Sequence, residues 1–189
     1  MNCHSELEGI LTESTTHETF EIVLGQNLDF SFKHGLTEEE IKPILNYLIE
    51  RYGNPHYHRS ATLYQNDLEY SNYGKYPCQQ RTSTRTYVLD SCKDIQISQT
   101  NYKTYPLDKF PRLSNYQHLE IIENSIFNVG SNIKCNVYHS HDPSADSFTQ
   151  VFYSIKIVYY HNPKKVNINK ISNELSQCIE KIWEIFPKK

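Results

Sequence analysis

The sequence predicts an α+β protein: a curved or closed antiparallel sheet of about seven to eight strands, with one helix after the second strand and one C-terminal helix. Three observations predict it. Apolar residues recur at helical spacing in only two long segments, the stretch from Thr62 to Tyr160 reads as strand after strand, and 189 residues suit one domain. Strands that follow one another without crossover helices pair antiparallel, and curving or closing such a sheet disposes of its edges.

The elements follow in order. Residues 1–18 are read as a flexible N-terminal segment ahead of a single domain, residues 19–189. TFEIVLG alternates Phe20, Ile22 and Leu24 with Glu21 and Val23, and LDFSF repeats the pattern with Leu28, Phe30 and Phe32, so both are half-buried strands. Thr37 stands three residues before Glu40, the spacing of a capping box, and Ile41, Ile44, Leu45, Leu48, Ile49 and Tyr52 form a helical stripe ending before Gly53. Pro43 lies beyond the first turn, which predicts an irregular opening or a regular helix starting near Lys42. The strand run is TLYQNDLEY, CQQRTSTRTYVLD, DIQIS, HLEIIE, SIFNV, NIKCNVYHS and TQVFYSIKIVYY, with NYKTYPLDKFPRLSNYQ and HSHDPSADS as loops. The last helix carries Ile168, Ile171, Leu175, Cys178, Ile179, Ile182 and Phe186 on one stripe. Trp183 falls beside that stripe, at the rim of the core or as an anchor for a subunit contact.

Composition narrows the setting. The apolar fraction is 38%, yet 15 Tyr and 8 Phe supply enough large side chains for a core, which excludes wholesale disorder. No apolar run is long enough to cross a membrane, and the first residues carry acids where an export signal needs bases and then an apolar segment. Cys3, Cys78, Cys92, Cys135 and Cys178 are odd in number and scattered, so no disulfide framework or CxxC site is legible. An intracellular, cytoplasmic protein that is not secreted is expected. The excess of Ile, Asn, Lys and Tyr reflects A- and T-rich codons, a bias that a virus-encoded protein shares with some protist and bacterial ones. Residues 1–50 carry a net charge of −8, residues 51–118 of +4 and residues 119–189 of +1. That distribution excludes nucleic-acid binding driven by charge over the whole surface and leaves room for a local anion site.

Several constellations bear chemistry. In QQRTSTRTYVLD, period 2 sets Arg81, Ser83, Arg85 and Tyr87 on one face, where two guanidiniums suit a phosphate chain or, the commoner use, the solvent face opposite an acid such as Glu69. Tyr64, Tyr70, Tyr73, Tyr76 and Tyr87 suit base stacking for single-stranded nucleic acid, or plain packing. His56-x-His58 and His139-x-His141-Asp142 offer four imidazoles for a metal such as zinc if they converge, and otherwise are solvated turn residues. Cys135 with His139 is the weakest pairing considered, a nucleophile and base. None of the strings GxGxxG, GxxxxGK[ST], HExxH and GxSxG is present, which removes the common nucleotide-binding and hydrolase routes.

TFEIVLGQNLDF followed by the TEEEIKPILNYL helix, together with YSIKIVYY leading into the terminal helix, resembles the triphosphate-tunnel fold of the capping-type RNA triphosphatases of fungi and large DNA viruses. The resemblance covers almost the whole chain and rests on element order and a few residues. It implies an eight-stranded tunnel in which glutamates of a first-strand Glu-x-Glu pair and of a late strand hold Mg or Mn, while Arg and Lys hold the triphosphate. Residues i and i+2 of a strand point the same way, which is why such pairs can share one cation. Here Glu21 matches the second glutamate, Thr19 stands at the first, and Ser154, Lys156 and Val158 occupy the late-strand positions. A lysine in place of a metal carboxylate repels the ion.

The leading expectation is therefore a non-catalytic structural or interaction protein on an eroded tunnel, with no cofactor, engaging a protein partner or itself in preference to nucleic acid, and no membrane. The alternatives are a metal-dependent RNA or nucleoside 5′-triphosphatase and a single-stranded nucleic-acid binder. The enzyme reading places Glu21 with Glu69 or Glu120 on the metal and Arg81, Arg85 and Lys156 on the phosphates, by the implied resemblance.

Overall fold

A computed structural model describes residues 3–28, 31–33, 35–65, 68–72, 78–92, 94–105, 118–141 and 152–187. In chain order these form α1 (His4–Glu13), β1 (Glu18–Leu24), β2 (Gln26–Leu28), β3 (Ser31–Lys33), α2 (Glu38–Tyr52), β4 (His56–Gln65), β5 (Leu68–Asn72), β6 (Cys78–Val88), β7 (Ile95–Tyr105), β8 (His118–Gly130), β9 (Ile133–His141), β10 (Tyr153–His161) and α3 (Ile168–Ile185). Eight strands close into an antiparallel barrel in the order β1-β10-β9-β8-β4-β5-β6-β7, and β2 pairs with β3 in a separate ladder. Strand β1 is the seam: its Glu21 lies opposite Val158 of β10 on one side and Ser98 of β7 on the other. Closure leaves the barrel without an edge strand, as the unbroken strand run predicts.

The apolar core lies outside the barrel. Phe20, Ile22 and Leu24 of β1, Ile155 and Ile157 of β10, and Ile133 and Cys135 of β9 are all 1% exposed or less and pack with the helices on the convex face of the sheet. Burying one such Ile, Leu or Phe contributes about 1.5–3 kcal/mol. Period 2 then turns the intervening residues, Thr19, Glu21, Lys156, Val158, Asn136 and Tyr138, toward the lumen. The same alternation that makes the core thus builds a polar channel.

Helix α2 opens with the capping box anticipated from sequence: Thr37 Oγ1 accepts from the Glu40 N–H at 3.3 Å, and Glu40 Oε2 accepts from the Thr37 N–H at 2.9 Å. It runs regularly from Glu38 through Pro43, where the sequence suggested irregularity. Proline removes only the bond to the Glu39 carbonyl, and Glu39 is exposed, so water can replace it. Helix α3 is capped by Asn167, whose Oδ1 accepts from the Lys170 N–H at 3.0 Å, and buries Ile171, Leu175, Cys178, Ile179 and Ile182. Trp183 stacks on Phe186 at 5.4 Å and packs, partly buried, against the core.

Four differences from the sequence reading stand out. Residues His4–Glu13, within the stretch read as flexible, form α1, which buries Leu7 and Leu11 and lies against α3. Glu6 fastens it to the turn after β6 by accepting from the backbone N–H groups of Asp90 (2.7 Å) and Ser91 (3.0 Å). LDFSF is no single strand, because Leu28 ends β2 and Ser31 begins β3. HLEIIE and SIFNV merge into β8, and DIQIS lengthens into β7 across residues first read as loop. Finally, His56 is the first residue of β4 and His58 lies two residues inside it, so both are strand residues and not turn residues.

Candidate functional site: a polar channel with one buried carboxylate

The barrel encloses a cavity of about 370 Å³ lined by hydroxyls, amides, imidazoles and charges. Glu21 on β1 is at its centre, 8% exposed. Its Oε2 accepts from Arg81 Nη2 of β6 at 3.2 Å and from Lys156 Nζ of β10 at 3.3 Å, and its Oε1 accepts from the Tyr102 hydroxyl of β7 at 2.8 Å. The lysine ammonium also lies 5.5 Å from the centre of the Tyr138 ring, within cation–π range. Four strands far apart in sequence thus supply one ion cluster.

The electrostatics follow from that packing. Burial alone would raise the Glu21 carboxyl, but the Lys156 and Arg81 charges and the Tyr102 hydroxyl outweigh it and hold the carboxyl below its usual range. Burial likewise disfavours the Lys156 ammonium, and Glu21 more than offsets this, raising its pKa. Burial and the neighbouring Glu21 push the Tyr102 phenol up, so it remains a donor. At neutral pH the cluster holds two cations and one anion.

At the channel mouth, Glu18 accepts from Ser14 and Gln99, and from Asn101 Nδ2 at 3.4 Å. His161 is buried, with Nε2 3.2 Å from the Ser14 carbonyl and Nδ1 3.4 Å from the Tyr159 hydroxyl. Burial lowers its pKa against the opposing pull of the Ser14 carbonyl and Glu18. It is a neutral ring pinned between two partners.

Arg81, Lys156 and Glu21 therefore meet, whereas Arg85 does not join them. The register between β6 and β7 shifts between Arg81 and Ser83: Arg81 opposes Tyr102, but Thr84 opposes Thr100 and Arg85 opposes Gln99. This bulge reverses the phase of the strand. It overturns the expectation that Arg81, Arg85 and Tyr87 share a face. Arg85 lines a separate pocket with Ser14, Glu18 and Gln99, and the Tyr87 hydroxyl donates to Gln99 Oε1 at 2.7 Å.

Glu69 on β5 is opposite Tyr64 of β4, and Glu120 on β8 is opposite Thr62. Their side chains lie outside the described residues, as do those of Tyr64, Tyr70, His141 and all of Tyr73, Tyr76 and Asp142. His56 is exposed on β4, while His58 and His139 line a second cavity beside Glu123, with His139 Nε2 3.1 Å from Glu123 Oε2. Among the described residues no three His, Cys, Asp or Glu side chains are grouped to hold a metal ion. Cys135 is fully buried on the convex face, and burial raises its thiol well above the ordinary value, the opposite of an activated nucleophile. Tyr102, Tyr138, Thr100, Asn124 and Asn136 were missed as channel residues. The polar half of the alternations in β7 and β9 was the signal that could have found them.

The divalent metal that a triphosphate tunnel implies requires several anionic oxygens. Here the carboxylate at the centre already carries two cations within 3.3 Å, one of them on the late strand where the resemblance calls for acids. The described residues of the channel do not fit a divalent metal.

No protein-family model matches the chain, and no curated protein sequence does. Among solved structures it is similar to the S. pombe RNA triphosphatase Pct1, at 13% identity over 98% of this chain and 91% of that one, with a TM-score of 0.63. It is also similar to the triphosphatase of the mimivirus capping enzyme, at 12% identity over 94% of each chain and a TM-score of 0.63. Both likenesses span nearly the whole molecule, barrel and terminal helix included. The chain has the triphosphate-tunnel fold of these fungal and mimivirus RNA triphosphatases.

Proposed function

We propose that the chain is a non-catalytic, intracellular structural or interaction protein built on an eroded triphosphate tunnel, engaging a protein partner or a second copy of itself. The observation that carries this reading is the pairing of Glu21 with both Arg81 and Lys156. A hydrolase of this architecture needs a net anionic site for its ion; this channel offers its central carboxylate already neutralised. Expected, then, is no phosphate release above background from GTP or from triphosphorylated RNA with Mg²⁺ or Mn²⁺. Release that disappears in Glu21→Ala would overturn the proposal.

The second reading, a metal-dependent triphosphatase, is favoured by one finding, the likeness to RNA triphosphatases across the full barrel. The same assay decides between the two. No helix among the described residues is long and apolar enough to cross a membrane.

A further inference from the structure

We propose that His161 is an acid-operated latch: as the neutral ring it holds the end of α1 against the barrel, and on protonation it releases α1 from α3. Such a latch is independent of whether the channel carries any activity.

Three elements meet at Ser14. Its N–H donates to the Leu11 carbonyl at 3.3 Å as the C-cap of α1, its hydroxyl donates to Glu18 of β1, and its carbonyl lies 3.2 Å from His161 Nε2 of β10. A carbonyl oxygen accepts and never donates, so Nε2 carries the ring hydrogen. Nδ1 is then a lone pair, 3.4 Å from the Tyr159 hydroxyl that donates to it. The bonding geometry itself selects the neutral ring. A second proton would arrive on Nδ1, the side enclosed by Tyr159 and by the Phe20 ring, which stands edge-on at 5.8 Å. Both aromatics are 1% exposed and His161 is 3% exposed, so a charge placed there is cut off from water.

The surrounding charges do not compensate. Glu18 faces His161 across the ladder between β1 and β10, but its carboxylate is already bonded by Ser14, Gln99 and Asn101. His17, exposed on the link to β1, opposes a second positive charge. Glu13 of α1 and Arg85 of β6 lie in the adjoining pocket beyond Glu18, where β7 presents the amides of Gln99 and Asn101, and Glu174 of α3 acts on Tyr159. Deeper in the channel, Lys156 and Arg81 face the carboxylate of Glu21. Burial prevails over the pull of the Ser14 carbonyl and Glu18, and the ring's pKa is lowered.

Helix α1 is built to let go. A helix of 10 residues does not hold by itself. It is seated by Leu7 and Leu11, by Glu6 on the Asp90 and Ser91 N–H groups, and by Cys3 and His4 on Ser176 and Ser172 of α3. Thr15, Thr16 and His17 of the link are exposed. Opening lets the imidazole reach water. Below its ordinary value near 6.5 the open form therefore gains up to about tenfold per pH unit, until the folded value is reached. Opening uncovers the apolar side of α1 and the surface of α3 at Ser172 and Ser176, and so makes that surface conditional on acid.

The test is hydrogen exchange of the full chain followed by mass spectrometry at about pH 7.5 and about pH 5, each rate corrected for intrinsic exchange. Protection of α1 is expected to fall ~10-fold or more while α2, in the same sample, keeps its own. His161→Gln, which retains an N–H for the Ser14 carbonyl, is expected to hold α1 protection within ~3-fold across that range. His4→Gln and His17→Gln are expected to keep the acid response. An α1 whose protection does not change, an α1 that is lost together with α2, or a response that persists in folded His161→Gln overturns the latch. Should His161→Gln fail to fold, an NMR titration of the wild-type ring decides: titration below 6.5 supports the latch, and titration at or above 6.5 means that protonation tightens the contact and overturns it.

Discussion

Replacing Glu21 with Gln removes the carboxylate charge that bridges Lys156 and Arg81 while keeping the side chain's size. Breaking a fully buried ion pair by deleting one partner costs about 3–5 kcal/mol, chiefly from the charge left stranded. The Lys156 and Arg81 side chains are 22% and 31% exposed, so water in the channel relieves part of that. The expected loss is about 2–3 kcal/mol, or about 4–12 °C in Tm for a chain of this size. Circular dichroism melts and urea titrations measure it. In the double variant Glu21→Gln/Lys156→Gln the stranded ammonium is gone, and the loss is expected to fall short of the sum of the singles by at least about 1 kcal/mol. The pH dependence carries a sign: because the folded carboxyl is held below the ordinary carboxylate range, its contribution is complete above that range and is lost as pH falls through the folded value. Lys156, raised above 10.5, keeps its contribution through the neutral range and loses it only in strong alkali. The gap between wild type and Glu21→Gln is thus constant from about pH 6 to 9 and narrows in acid. A variant within about 0.5 kcal/mol of wild type, or singles that add to the double, would refute the buried triad as described.

Further expectations concern the frame. Pro43→Ala restores the N–H that α2 lacks and is expected to stabilise the protein by about 2 kcal/mol, the ~3 kcal/mol helix penalty less the gain in unfolded-chain entropy; an unchanged urea midpoint would show that the turn around Pro43 is distorted. His161, whose pKa is lowered by burial, contributes stability above its unfolded value near 6.5 and loses it as pH falls toward the folded value. His161→Gln is expected to flatten the stability profile on the acid side of neutrality, and an unaltered profile would place that titration elsewhere.

What could be read from sequence divides along physical lines. The Phe20, Ile22, Leu24 alternation, the Thr37–Glu40 box and the Ile171–Ile182 stripe are local patterns, and each appears in place. The meeting of Glu21, Arg81 and Lys156 depends on barrel closure and on the stagger between strands, which no local pattern encodes. Arg85 was misplaced because one residue inserted in β6 inverts all that follows it, and QQRTSTRT contains no glycine to mark the bulge. Helix α1 escaped notice because only Leu7 and Leu11 show its buried side. Tyr102 and Tyr138 lie on the polar sides of β7 and β9, where a tyrosine reads as ordinary cross-strand packing until closure turns that side into a lumen.

The inserted residue at Thr82 also sets how this protein can change. Upstream of it β6 sends Arg81 into the channel; downstream, Thr84 is opposite the channel residue Thr100, and Arg85 lines the separate pocket with Gln99. Deleting Thr82 would leave a regular strand with Thr84 still opposite Thr100 and Arg85 still opposite Gln99, whereas absorbing Thr82 into the ladder would slip the register by one and turn Arg85 toward the lumen beside Arg81. Which basic side chains of β6 meet the lumen is thus set by register as much as by residue identity.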